Sequence, residues 1–297
     1  MSEWTPHTVV NEELVDPGPV AALAALLDSG APTIGPGDPL PPLWHWVALP
    51  RWPLSSDIGP DGHPARGTFL PPVDLPRRMF AGGEVRVRGE ITVGSTVRRA
   101  ARVVSVTPKS GRGGRLVVVV VEIELSAGDA PPALLERQHL IYREAPAAPA
   151  GEPAPAPTGA PVGSPMRRLA EGNWELRTDP TVLMRFSAAT ANAHRIHYDW
   201  PYATAVEGYP GLVVHGPLMT LALAETLRRD VPERIPAVLR HRNLAPLFCA
   251  NPVRLLRRTA PGADFAVAVA GTDATGQPVT HTELTGEFLS PGERFHA

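Results

Sequence analysis

The chain has 297 residues, 43% of them hydrophobic and 20% charged, with a formal net charge of −2. That length holds two domains of ordinary size, each able to bury a core. The small net charge supplies no field for gathering nucleic acid or an anionic bilayer, so neither is expected as a partner. A single cysteine, Cys249, excludes an internal disulfide and a cysteine-based metal cluster, and it fits a reducing compartment. The start, MSEWTPHTVVNEEL, lacks the basic and apolar regions of a signal peptide, and a cytoplasmic location is expected.

Asp16-Pro17 reads as an N-cap followed by proline at the first helical position, and VAALAALLDSG as an apolar helix stopped by Gly30. A long loop from Ala31 to Pro76 follows, containing PPLWHWVALP and GPDGHPARGTFLPP. A stretch of that length without regular structure usually has a function. The texture then changes to strands: GEVRVRGEITV, VRRAARVVSVTP, a GRGG turn, RLVVVVVEIEL and RQHLIYRE. Residues 146–165 are almost entirely Ala, Pro and Gly and read as a semi-rigid linker. They separate residues 1–145 from residues 166–297.

The second half repeats the order. VLMRFSAAT looks strand-like, the polar segment TANAHRIHYDWPYA follows, and LMTLALAETL reads as a buried helix. Strand candidates come after it in AVLRHRNLAPLF, NPVRLLRRTAPG to FAVAVAGTD, and QPVTHTELTGEF. Helix then meander, twice, implies an α+β chain with two copies of one fold. Each helix would cover the apolar face of its sheet, and joining the sheets edge to edge would hide a free strand edge.

Chemistry concentrates in Asn192, His194, His197 and Asp199. Histidine exchanges protons near neutral pH, whereas an asparagine amide can only orient water or hydrogen-bond a developing anion. Asp199, just before Trp200-Pro201, reads best as a helix cap. His194 and His197 could share one face and bind a metal, but a third protein ligand is wanting, and no metal is expected. In VVHGPLMT, the His215-Gly216 pair precedes Pro217 and a helix. Gly216 either permits a tight turn or places free N–H donors where a thioester oxygen becomes an enolate.

The pairing of TANAHRIHYD with GLVVHGPLM resembles the MaoC-like hydratase/dehydratase superfamily of the hot-dog fold. There a segment of the form S-G-D-x-N-P-I-H carries a catalytic Asp and a final catalytic His. Here it reads T-A-N-A-H-R-I-H, which puts His197 at the histidine position and Asn192 at that of the aspartate. The form N-x-H-[RK]-I-H-Y-D, with PLPPLWHW, GPDGHPARGTFLPPVDLPRRMFAGGEV and QHLIYRE upstream, is similar to one subgroup. That subgroup comprises the mitochondrial-type 3-hydroxyacyl-thioester dehydratases and the mesaconyl- and itaconyl-CoA hydratases.

The resemblance implies a double hot-dog whose C-terminal domain is catalytic and whose N-terminal domain shapes the acyl pocket. It implies reversible hydration of an enoyl thioester, on CoA or a carrier protein, without a cofactor. His197 would be the general acid/base, Asn192 would hold the water, and His194 is a candidate second group. Backbone N–H near Gly216 would form the oxyanion hole, with His215 shaping the turn. Trp44, Trp46 and Phe69 are expected to line the acyl pocket or simply to pack a long loop. A homodimer is also implied. Two other readings stand beside this one: a hot-dog thioesterase, and a non-catalytic acyl-binding subunit.

Overall fold

The computed structural model describes residues 4–111, 114–145, 155–156, 158–273, 275–290, 292 and 295. Part of the GRGG turn and half of the 146–165 linker therefore lie outside the described residues.

Among the described residues, eleven strands form one antiparallel sheet. The first half contributes β1 (Thr8–Leu14), β2 (Arg77–Val87), β3 (Thr96–Gly111), β4 (Gly114–Ser126) and β5 (Leu134–Arg143). The second contributes β6 (Met166–Arg168), β7 (Trp174–Leu176), β8 (Pro236–Asn243), β9 (Val253–Arg258), β10 (Phe265–Thr272) and β11 (Pro278–Phe288). Their spatial order is β1-β3-β4-β5-β2-β8-β11-β10-β9-β7-β6. The halves thus join where β2 pairs with β8, Gly83 opposite His241 and Val85 opposite Leu239. Glu84 reaches across this seam to Arg240 at 2.7 Å. The backbones approach so closely at the seam that a Cβ on Gly82, whose φ is +147°, would collide with the His241 carbonyl.

The described residues also form four α-helices: α1 (Pro17–Leu27), α2 (His45–Ala48), α3 (Pro180–Ala189) and α4 (Gly216–Asp230). Asp16 caps α1 by accepting from the Gly18 N–H, as its sequence implies, but the helix ends at Asp28 in the left-handed region, before Gly30. Helix α4 lies against β9, β10 and β11, and nine of its residues are buried. Helix α1 meets α2 and α3.

One expectation needs correction, and one unassigned segment gains a place. VLMRFSAAT is helix, not strand: it lies in α3, whose Asp179 accepts from the Val182 N–H at 2.8 Å ahead of Pro180. That is the same Asp-Pro start that marks α1, and it outweighs the β-like composition of a short run. TVVNEEL, unassigned in the sequence reading, is the edge strand β1, paired to β3 from Thr8↔Arg102 to Leu14↔Thr96.

Candidate active site

The segment after α3 is a tight sequence of turns. The Asn192 N–H donates to the Ser187 carbonyl at 2.9 Å, and its side-chain Oδ1 accepts from the His194 N–H at 3.1 Å. A short 3₁₀ turn, Arg195–His197, then carries the second histidine inward. Asp199 behaves as a cap: Oδ1 accepts from the Tyr202 N–H at 3.1 Å, while Oδ2 accepts from Arg195 Nε at 2.9 Å.

His197 is buried and donates its Nδ1–H to the Val213 carbonyl at 2.7 Å. That bond fixes the tautomer, leaving Nε2 as an acceptor. Val213 is itself held, donating its N–H to the Ile196 carbonyl at 3.0 Å. Burial pushes the His197 pKa down to about 4, against the Val213 bond that favours the cation. The side chain is therefore a neutral base near pH 7. Beneath it the His215 ring stacks at 3.6 Å, anchored by a 2.9 Å contact from Nε2 to Ser187 Oγ. Burial also lowers the His215 pKa well below its usual value. His215 thus supports the His197 ring and does not line the cavity.

A cavity of about 550 Å³ opens over this group, a size suited to a small ligand. Asn192, His194, His197 and Gly216 line it, as do Trp46 and Phe69. Gly216 begins α4, whose first turn presents N–H groups without intrahelical partners. Trp44 does not reach this space: only 1% of it is exposed and it sits in the core, with Arg228 over its ring at 5.4 Å. The far wall comes from the first half, through Val121, Ile123, Leu125 and Leu140. Trp46 is pinned there by its Nε1–H donating to Glu136 Oε1 at 2.8 Å.

The sequence reading left without roles two cavity residues, His63 and Arg78, and the neighbouring Asp61. The loop 58–64 closes on itself through an Ile58↔Pro64 bridge. It docks on the motif, where its Asp61 carbonyl accepts the Arg195 N–H at 2.9 Å and its Pro60 carbonyl accepts Arg195 Nη1 at 3.1 Å. Gly62 makes the fit: its φ is +88°, and a Cβ there would collide with the Ala193 carbonyl. His63 donates Nδ1–H to Asp61 Oδ2 at 3.0 Å, and its ring packs against His194 with centroids 3.9 Å apart and a 34° tilt. His194 meets His197 edge-on at 5.3 Å. Burial drives the His194 pKa far down, aided by the neighbouring His63 and His197.

Ligating atoms of Asp61, His63 and His194 lie within 4.8 Å of one another, so they could reach one cation. However, the His63 Nδ1–H is committed to Asp61 Oδ2 at 3.0 Å, so that nitrogen and that oxygen already satisfy each other without an ion. The donor set fits a metal poorly.

The double layer of helix and sheet, with a neutral histidine beside a helix start, has the form of the MaoC-like hydratases and dehydratases. Solved structures share the fold. HtdX of Mycobacterium tuberculosis superposes with TM-score 0.62 at 19% identity, over 95% of this chain and 100% of that one. A second Mycobacterium tuberculosis protein, described as having a double hot-dog fold, gives TM-score 0.54 at 13% identity over 96% of each chain.

In sequence, residues 43–249 match the family described as hydroxyacyl-thioester dehydratase type 2. The mesaconyl-C(4)-CoA hydratase of Chloroflexus aurantiacus is 42% identical over 92% of this chain and 97% of its own length. The chain belongs to the hydroxyacyl-thioester dehydratase type 2 family and is a hydro-lyase.

Proposed function

We propose that the chain adds water to an enoyl-CoA, or removes it from the matching 3-hydroxyacyl-CoA, with His197 moving the proton. The observation that carries this is the neutral His197, tied through Nδ1 to Val213 and facing a cavity that α4 also borders. In hydration, Nε2 takes a proton from water as its oxygen bonds to the β carbon. The π pair moves toward the thioester oxygen, beside the N–H at Gly216. The α carbon then receives the proton back from Nε2.

The acyl group enters over the sheet of the first half, so residues 1–145 shape the pocket and residues 166–297 carry the base. We infer that the acyl group is short and bears a second carboxylate. The 42% identical relative is named for mesaconyl-C(4)-CoA, a monothioester of a dicarboxylic acid that keeps one free carboxylate. Arg78 supports the same reading. Its guanidinium lines the cavity, and among the described residues no carboxylate lies within salt-bridge distance of it. Tyr142 and the more distant Asp61 charge favour its cationic form, and a cation on the cavity wall suits an anionic ligand.

Mesaconyl-, itaconyl-, crotonyl- and long-chain enoyl-CoA provide the test. Loss of the conjugated absorbance with a mass gain of one water is expected for the dicarboxylic members first. Release of free thiol without hydration would sink the reading in favour of a thioesterase. Binding without any turnover would favour an acyl-binding subunit.

A further inference from the structure

We propose that Asp61 and His63, delivered by the first half, form the second catalytic element of the site: His63 Nε2 accepts one O–H of the reacting water while His197 takes the other. This deepens the hydration reading above and rests on it.

Asn192 stands where a carboxylate is expected, and its Oδ1 is already engaged by the His194 N–H at 3.1 Å. Water attacking the β carbon needs two acceptors to fix both its position and its lone-pair direction. The cavity supplies a second one in His63. Asp61 Oδ2, at 3.0 Å, holds the proton of that ring on Nδ1 and leaves Nε2 an acceptor. This is the relation that fixes a base's tautomer in acyl-transfer triads.

The charged and titratable neighbours agree with the assignment. Burial opposes charge on Asp61, yet the His63 bond and charge hold its carboxyl well below the usual range. Burial, then the Arg78 charge, pushes His63 down to about 4, with Asp61 pulling the other way and Arg66 adding to Arg78. The His194 ring covers one face of His63 and is neutral as well. An ionised carboxylate behind a neutral imidazole is what the role requires.

Docking keeps the pair in register. The Asp61 carbonyl bonds the Arg195 N–H at 2.9 Å, two residues before His197. The carboxylate absent at position 192 thus returns from Asp61 through the ring of His63. Atoms balance simply. One water proton passes to His197 Nε2 and then to the α carbon. The other stays on oxygen, held by His63, and becomes the product hydroxyl.

The test compares purified wild type with His63→Gln, His63→Ala, Asp61→Asn and His197→Ala on the enoyl-CoA that the wild type hydrates. His63→Gln is expected to lose ~100-fold in kcat with KM little changed, as for misplacement of the attacking water when one of its two acceptors is lost. Added imidazole should restore part of the rate in His63→Ala. In ¹⁵N-labelled wild type, the His63 signals, assigned by their absence from His63→Gln, should show a protonated Nδ1 and a bare Nε2, and Asp61→Asn should disturb that pattern.

Full kcat in His63→Gln, with activity abolished in His197→Ala, overturns the pair and leaves the hydratase reading intact. A loss confined to KM that imidazole does not restore also overturns it, as does a wild-type His63 protonated on Nε2. A wild type that hydrates none of the panel overturns the reading and this inference with it.

Discussion

At the scale of single residues, the His197 pKa sets the pH dependence. Burial depresses it to about 4, so the base is already free at neutral pH. We predict that kcat/KM shows no inflection near the ordinary histidine value of 6.5 and stays level from about pH 6 to 9. A bell centred on a histidine titration near neutrality would contradict that state. Arg78 gives a second prediction: Arg78→Met should lower kcat/KM for a dicarboxylic enoyl-CoA by ~10- to 100-fold, as for a lost charged hydrogen bond, while crotonyl-CoA changes little. An equal loss on both substrates would argue against carboxylate recognition. Prolonged chelation is expected to leave turnover unchanged, and loss of turnover restored by an added divalent metal would reverse our reading of the Asp61–His63 hydrogen bond. The sequence made His197 legible because its neighbours form one continuous motif. It could not assign Asp61 and His63, which come from an upstream loop and meet the motif only through docking at Gly62. The choice between pocket lining and packing stayed open for Trp44, because aromatic composition does not say which of two nearby rings faces the core, where Trp44 lies.

At the scale of elements, strong periodicity and long apolar runs translated directly into β3, β4, β10 and α4. Shorter pieces were decided by capping. Helix α3 reads as strand by composition, yet Asp179 sets its direction by accepting from the Val182 N–H at 2.8 Å and from the Val162 N–H at 2.6 Å. This helix ends at Ala189, immediately before the turns that carry Asn192 and His194. We predict that Asp179→Ala costs ~1–2 kcal/mol as a lost cap. In a chain of this size that is a drop of a few degrees in Tm. Because the substitution loosens the support of the motif and not its chemistry, kcat should fall less than in His197→Ala. Calorimetry and steady-state rates on the same preparation check both parts. An unchanged Tm would mean that α3 is held by packing alone, through Val182, Leu183 and Phe186.

At the scale of the whole molecule, the repeated order of helix and strands made the two-copy sheet legible. The composite nature of the site was not, because sequence separation conceals that β2 and β8 are neighbours. That composite interior collects buried neutral histidines from both halves, and they make stability depend on pH in a defined window. Burial pushes His63, His197 and His241 down to about 4, and lowers His194 and His215 as well. Their unfolded value is near 6.5, so the unfolded chain binds protons that the folded chain refuses. The sign follows: their neutral burial has no penalty above about pH 6.5, and stability is lost as pH falls from there toward 4. Each such proton contributes a slope of ~1.4 kcal/mol per pH unit. Carboxylates lowered by partners, Glu84 and Glu122 among them, act in the same direction, but only as pH falls below their unfolded values near 4.5. The two sources therefore separate by window. We predict a level Tm between about pH 7 and 9 and a steep fall beginning near pH 6, before carboxylate protonation sets in. His241→Phe isolates one member of the set, because the ring stacks on Phe80 at 5.2 Å and neither of its nitrogens finds a partner among the described residues. The variant should shallow the limb between pH 6 and 4.5 by about one proton while leaving the limb below it in place. A wild-type Tm that holds level down to pH 5 would show that the buried imidazoles carry charge, and would remove the basis for reading His197 as a free base.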